Sequence, residues 1–165
     1  MGVRLWSGDG ETLIQGNTIT NNACGIILGR DATHTVTNVS IVGNDILNNI
    51  ADTGILVKNG SATGNEAHFN NIVGNDIGVK NEDPDDTFDA TNNWWGDASG
   101  PSGVGHGTGD AVSANVDYDP WLGAPLGLSA VHHESLGADT HSGCLSGSEY
   151  KGNLKYHRRN RYIHC

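Results

Sequence analysis

Aromatic residues are scarce, 6% of the 165 residues, and proline occurs only four times. An interior so poor in large rings must be closed by aliphatic side chains in narrow layers. Three cysteines, Cys24, Cys144 and Cys165, are too few and too far apart for a disulfide framework. No stretch approaches the ~20 apolar residues of a membrane span. No apolar leader segment stands at the N-terminus. Positive charge is nearly missing from residues 1–123, which carry four Lys and Arg against 16 Asp and Glu, a net charge of −12. Such a surface repels nucleic acid and anionic lipid, so neither is expected as a partner. It suits an acidic halophile surface, a cation-binding one or an ordinary acidic extracellular protein. Residues 124–165 reverse the sign, at +2.

Asparagine and glycine recur at fixed intervals. Residues 14–28, IQGNTITNNACGIIL, are echoed by residues 44–57, NDILNNIADTGILV, and by residues 70–79, NNIVGNDIGV. A first asparagine recurs as Asn17, Asn44, Asn70 and Asn92, spaced 27, 26 and 22. A second recurs as Asn22, Asn49 and Asn75, and a glycine as Gly2, Gly25, Gly54 and Gly78. A repeat in this range means a solenoid. Its apolar residues alternate, as in Ile26/Leu28 and Ile55/Val57, which is strand period. Each unit therefore reads as one coil of a parallel β-helix, with equivalent residues about 4.8 Å apart along the axis.

The alignment predicts which residues face inward. Ile19, Ile46 and Ile72 stack inside, with Trp94 at the same offset, and the asparagines form amide ladders. Thr18, Asp45, Asn71 and Asn93 form one outward line, and Thr20, Leu47, Val73 and Trp95 another. Arg4, Ile27, Leu56 and Lys80 also share an outward offset.

These repeats resemble those of right-handed parallel β-helix proteins, the pectate-lyase-like superfamily. The resemblance covers residues 2–122. Residues 90–122, ATNNWWGDASGPSG…VDYDPWL, are similar to the C-terminal end of the β-helix in archaeal and bacterial surface proteins, and to the periplasmic copper-binding β-helix family. It implies an all-β chain: coils and a closing segment over 1–122, then an irregular tail over 123–165. The first coil starts part-way round, so the chain is expected to be the C-terminal end of a longer β-helix. Function is less constrained, because the superfamily hosts lyases, hydrolases, epimerases, adhesins and structural modules.

Candidate sites are few. A lyase of this kind uses Arg or Lys beside Asp-bound Ca²⁺, and the four cations of the body read as scattered. A polygalacturonase uses carboxylates ~6.5–9.5 Å apart. Asp85-Asp86 and Gly105-His106-Gly107 match two of its motifs, but Asn-Thr-Asp and Arg-Ile-Lys are missing. No catalytic residue is therefore expected. Asp83, Asp85, Asp86 and Asp89 are oxygen donors of the type that holds Ca²⁺, without EF-hand spacing. In the tail, His141-Ser-Gly-Cys144 has zinc-like spacing without a second pair. Trp95 and Asp45 are the candidate glycan contacts. The expectation is a non-catalytic extracellular or cell-surface β-helix module, structural or adhesive, without a cofactor, contacting polysaccharide or cell-surface components. The alternative is a fragment of a polysaccharide lyase or glycoside hydrolase whose catalytic coils lie N-terminal to Met1.

Overall fold

The computed structural model describes residues 2–127. The chain winds in successive turns of three short strands. The first turn holds β1 (Val3–Leu5), β2 (Thr12–Gln15) and β3 (Thr18–Thr20). The second holds β4 (Cys24–Leu28), β5 (Val39–Val42) and β6 (Asp45–Leu47). The third holds β7 (Thr53–Val57), β8 (Glu66–His68) and β9 (Asn71–Val73). The fourth begins with β10 (Ile77–Asn81) and β11 (Phe88–Asp89). Then come β12 (Pro101–Gly103), β13 (Gly109–Val112) and β14 (Val116–Asp117). Corresponding strands pair in parallel to give three sheets, β1-β4-β7-β10-β13-β12, β2-β5-β8-β11-β14 and β3-β6-β9. This is a right-handed parallel β-helix.

Like residues stack on like inside it. Val3, Ile26, Ile55, Val79 and Val112 share register in the first sheet. Ile14, Ile41 and Ala67 do so in the second, and Ile19, Ile46 and Ile72 in the third. Burying each large aliphatic contributes ~1.5–3 kcal/mol, which is how a chain short of aromatics closes a core.

Two corners of each turn carry the asparagine ladders. In the first, Asn44 Oδ1 accepts from both the backbone N–H (2.9 Å) and the side-chain amide (3.0 Å) of Asn17. Asn70 receives Asn44 in the same way at 2.9 and 3.0 Å, and Asn93 receives Asn70 at 2.8 and 2.9 Å. In the second, Asn49 accepts from Asn22, and Asn75 from Asn49. Asp110, on β13, ends that ladder: its Oδ2 takes the backbone N–H and amide of Asn75 at 2.9 and 2.8 Å, and its Oδ1 takes Gly74 N–H. A terminal rung only has to accept, so a carboxylate serves. The recurrent glycine lies beside this ladder. A Cβ on Gly25 would lie 2.5 Å from Gly54 O and 3.1 Å from the Asn49 amide, so the approach of the coils leaves room only for hydrogen.

The expected register fails at one place. Asn93, not Asn92, is the rung opposite Asn70, and the next positions shift with it. Trp95, not Trp94, is fully buried and sits two residues after the rung, as Ile72 does after Asn70. Trp94 pairs with Asn71 and is half-buried, extending the third sheet. The cause lies in the corner. Gly16, Gly43, Phe69 and Asn92 precede the rungs of the first ladder, and all have left-handed φ, +65°, +64°, +56° and +59°. Asn21, Asn48 and Gly74 do the same for the second ladder. Asn92 is the corner residue, so its neighbour becomes the rung. Of these seven, Phe69 alone is a residue type that rarely adopts this conformation. The indole N–H of buried Trp95 finds no partner among the described residues.

Residues 101–113, though rich in glycine, supply β12 and β13. Trp121 closes this end: it packs where a Cβ on Gly100 would lie, and its Nε1 donates to Ala98 O. Residues 123–127 are irregular and hydrogen-bond to the third sheet through Leu126.

Removing Asn44 takes the acceptor from Asn17 and leaves the buried Ile14 carbonyl and Asn70 Oδ1 without the Asn44 amide as donor. Asn44→Ala should lower stability by about 1–3 kcal/mol in urea melts. Asn59→Ala, at an exposed turn, should cost less than ~0.5 kcal/mol. Equal losses would contradict the ladder assignment.

Candidate functional site

The outer face of the third sheet does not form the expected glycan platform. Trp95 is inside the coil and presents no ring to solvent. Thr18, Asp45 and Asn71 share register on that face, followed by Trp94, while Asn93 is buried. Asp45 Oδ1 accepts from the Asn71 amide at 2.8 Å. Asn71 also grips the chain crossing above it, donating to Leu126 O and accepting from Leu126 N–H, both at 2.9 Å. Asp45 is thus tied to a neighbouring amide beneath a strap.

The acidic loop is also not one site. Asp83 is buried and spends its carboxylate on the loop: Oδ2 accepts from Gly60 N–H at 2.8 Å, Oδ1 from Asp85 and Asp86 N–H. Asp85 and Asp86 stay exposed. Asp89 lies on β11, facing another coil. Among the described residues the one trio of His, Cys, Asp or Glu whose ligand atoms converge is Glu66, His68 and Asp89. It includes neither Asp85-Asp86 nor His106. The histidines and cysteines of the tail, including His141 and Cys144, lie outside the described residues.

Cations scattered along the sequence gather on one side of the fold. Arg4, Ile27, Leu56 and Lys80 form one column on the first sheet. Side chains two residues apart on a strand share a face, so Trp6 follows Arg4, Lys58 follows Leu56, and Glu82 follows Lys80. Trp6 is 49% exposed, with the Arg4 and Arg30 guanidinium carbons 5.5 and 5.2 Å from its ring centroid. A small hollow of about 60 Å³ lies among Arg4, Trp6, Ile27, Gly29, Arg30 and Lys58. Glu82 bonds Lys58 at 2.7 Å and Lys80 at 3.1 Å. All four cations of residues 2–127 therefore belong to this one side. The signal was present in the sequence as the period-two spacing from Arg4 to Trp6 and from Lys80 to Glu82.

No family model, curated protein or solved structure matches the chain. Its class is defined by the coils themselves: a parallel β-helix of about four turns carrying one cationic, aromatic side on an otherwise acidic body.

Lys58, chiefly, and then Lys80 hold the Glu82 carboxyl below its usual value of 4.5, against partial burial. A lowered carboxyl pKa contributes stability that is present above the unfolded value and is lost as pH falls through the folded one. Glu82→Gln should therefore melt below wild type at pH 7, and the gap should close on acidification below about pH 4.5. A gap that stays constant down to pH 3 would refute the pairing.

Proposed function

We propose that this chain is a non-catalytic β-helix module of an extracellular or cell-surface protein, and that it contacts acidic carbohydrate through the side formed by Trp6, Arg4, Arg30 and Lys58. The exposed Trp6 ring with two guanidiniums beside it is the observation that carries the reading. Planar guanidiniums bind carboxylates and sulfates with two parallel hydrogen bonds. An indole offers apolar surface to a sugar ring's C–H face. The hollow is too small to enclose a sugar, which favours an extended chain lying across the coils over a small molecule held in a pocket. The acidic body repels a polyanion at long range, but at physiological salt that repulsion is screened beyond ~8 Å, so the local charges decide. Arg4 has no ion pair among the described residues, while Arg30 lies 3.6 Å from Asp31 and Lys58 2.7 Å from Glu82. The rigid stack of the helix supports the scaffold part of the reading, because equivalent residues repeat along one face.

Titration with polygalacturonate, followed by tryptophan fluorescence and affinity electrophoresis, tests this. Trp6→Ala and Arg4→Ala should each weaken binding at least tenfold, and rising salt should weaken it further. Neutral glucan should not bind. Undiminished binding in both variants, or none in wild type, would contradict the assignment. No release of reducing ends or unsaturated products is expected on incubation with the same polymer.

A further inference from the structure

Glu66 and His68 lie two residues apart on β8 and point to the same outer face of the second sheet. Asp89, on β11, is one coil further along and in register with Glu66. His68 Nε2 is 3.4 Å from Glu66 Oε2 and 3.5 Å from Asp89 Oδ2. Both separations exceed the ~3.2 Å of an ordinary N–H···O bond. Two ligand atoms on a tetrahedral zinc ion, each ~2.0–2.2 Å from the metal, are themselves about 3.4 Å apart.

The remaining polar atoms of the three side chains are already committed. His68 Nδ1 is 2.8 Å from Thr91 O, and a carbonyl only accepts, so Nδ1 carries a proton and Nε2 is the ring nitrogen turned toward the carboxylates, the atom a metal would take. Glu66 Oε1 accepts from Ser40 Oγ at 2.8 Å. Asp89 Oδ1 accepts from the Thr91 hydroxyl and backbone N–H at 2.9 and 3.1 Å. One nitrogen and two oxygens are thereby left facing one point, each fixed from behind, which is the arrangement that orients metal ligands. The His68 side chain is 17% exposed, so the point is sheltered but open to solvent. Asp117 is in register with Asp89 on the next strand and adds negative charge alongside. No Lys or Arg takes part in an ion pair with Glu66 or Asp89 among the described residues.

We infer that Glu66, His68 and Asp89 form a binding site for a divalent transition-metal ion of the zinc type. An imidazole with two carboxylates suits zinc, manganese or iron better than calcium, which takes six to eight oxygens. Three protein ligands leave at least one position for water or an exchangeable ligand. A polar groove of about 490 Å³, lined by Glu11, Leu13, Asn38, Ser40 and Glu66 among others, runs along the same face.

The test is isothermal titration calorimetry of the full chain with zinc chloride, repeated on His68→Gln and Glu66→Gln after circular dichroism has confirmed folding. Wild type should bind one zinc more than His68→Gln, or bind it at least tenfold more tightly. Cobalt substitution should give a visible absorption band, without thiolate charge transfer, that disappears in His68→Gln. If His68→Gln does not fold, Glu66→Gln is read in its place. Zinc stoichiometry and affinity unchanged by the substitution overturn the inference, whether no zinc binds or the histidines and cysteines of residues 128–165 bind it instead. An imidazolium ion-paired to the two carboxylates predicts that second pattern.

Discussion

One hydrogen-bonding arrangement sets the geometry of this protein: an asparagine carbonyl oxygen receiving both the backbone N–H and the side-chain amide of the asparagine one coil earlier. Its amide then reaches on to the following rung and to backbone carbonyls, as Asn70 does to Ile41 O, Asn93 and His68 O. A buried amide has four hydrogen-bonding sites, and leaving one empty costs about 1–3 kcal/mol. The ladder satisfies them with copies of itself, so it works only when coils repeat in register. Fixing the corner fixes the start of the next strand, and with it the alternation that sends Ile46 and Ile72 inward. The left-handed residue before each rung and the Cβ-free glycine beside the second ladder are consequences of that packing.

Sequence periodicity made the fold legible because each coil repeats the same demand: a turn residue, an asparagine, then alternating aliphatics. It misled where two residues met the demand equally well. Asn92 and Asn93 are chemically identical, and only the left-handed corner decides which becomes the rung. A one-residue slip then exchanged the inside and outside of Trp94 and Trp95, as the period of two requires. Asp110 does not show in the repeat because the spacing lengthens at the end of the helix and an asparagine is replaced by a pure acceptor.

The candidate sites were harder to read for a related reason. Asp89 belongs in sequence to an acidic run with Asp83, Asp85 and Asp86, yet in space it belongs with Glu66 and His68, 23 and 21 residues earlier. Coil length, not local density of acids, brings side chains together. The same holds for Arg4, Arg30, Lys58 and Lys80, which are far apart in the chain and share one side of the helix. A solenoid thus separates two tasks. Its interior repeats, while outer columns accumulate unlike residues at positions where the ladder imposes no identity.

The claim that the amide ladders organise the coils is tested most directly by side-chain amide hydrogen exchange. In ¹⁵N-labelled protein, the Nδ2 protons of Asn44, Asn49, Asn70 and Asn75 should be protected to the same degree as the backbone amides of β4, β7 and β9. Those of Asn59, in an exposed turn, should exchange with solvent at the rate of a free amide. Fast exchange at Asn44 and Asn70 while the strands remain protected would show that the coils hold their register without the ladders.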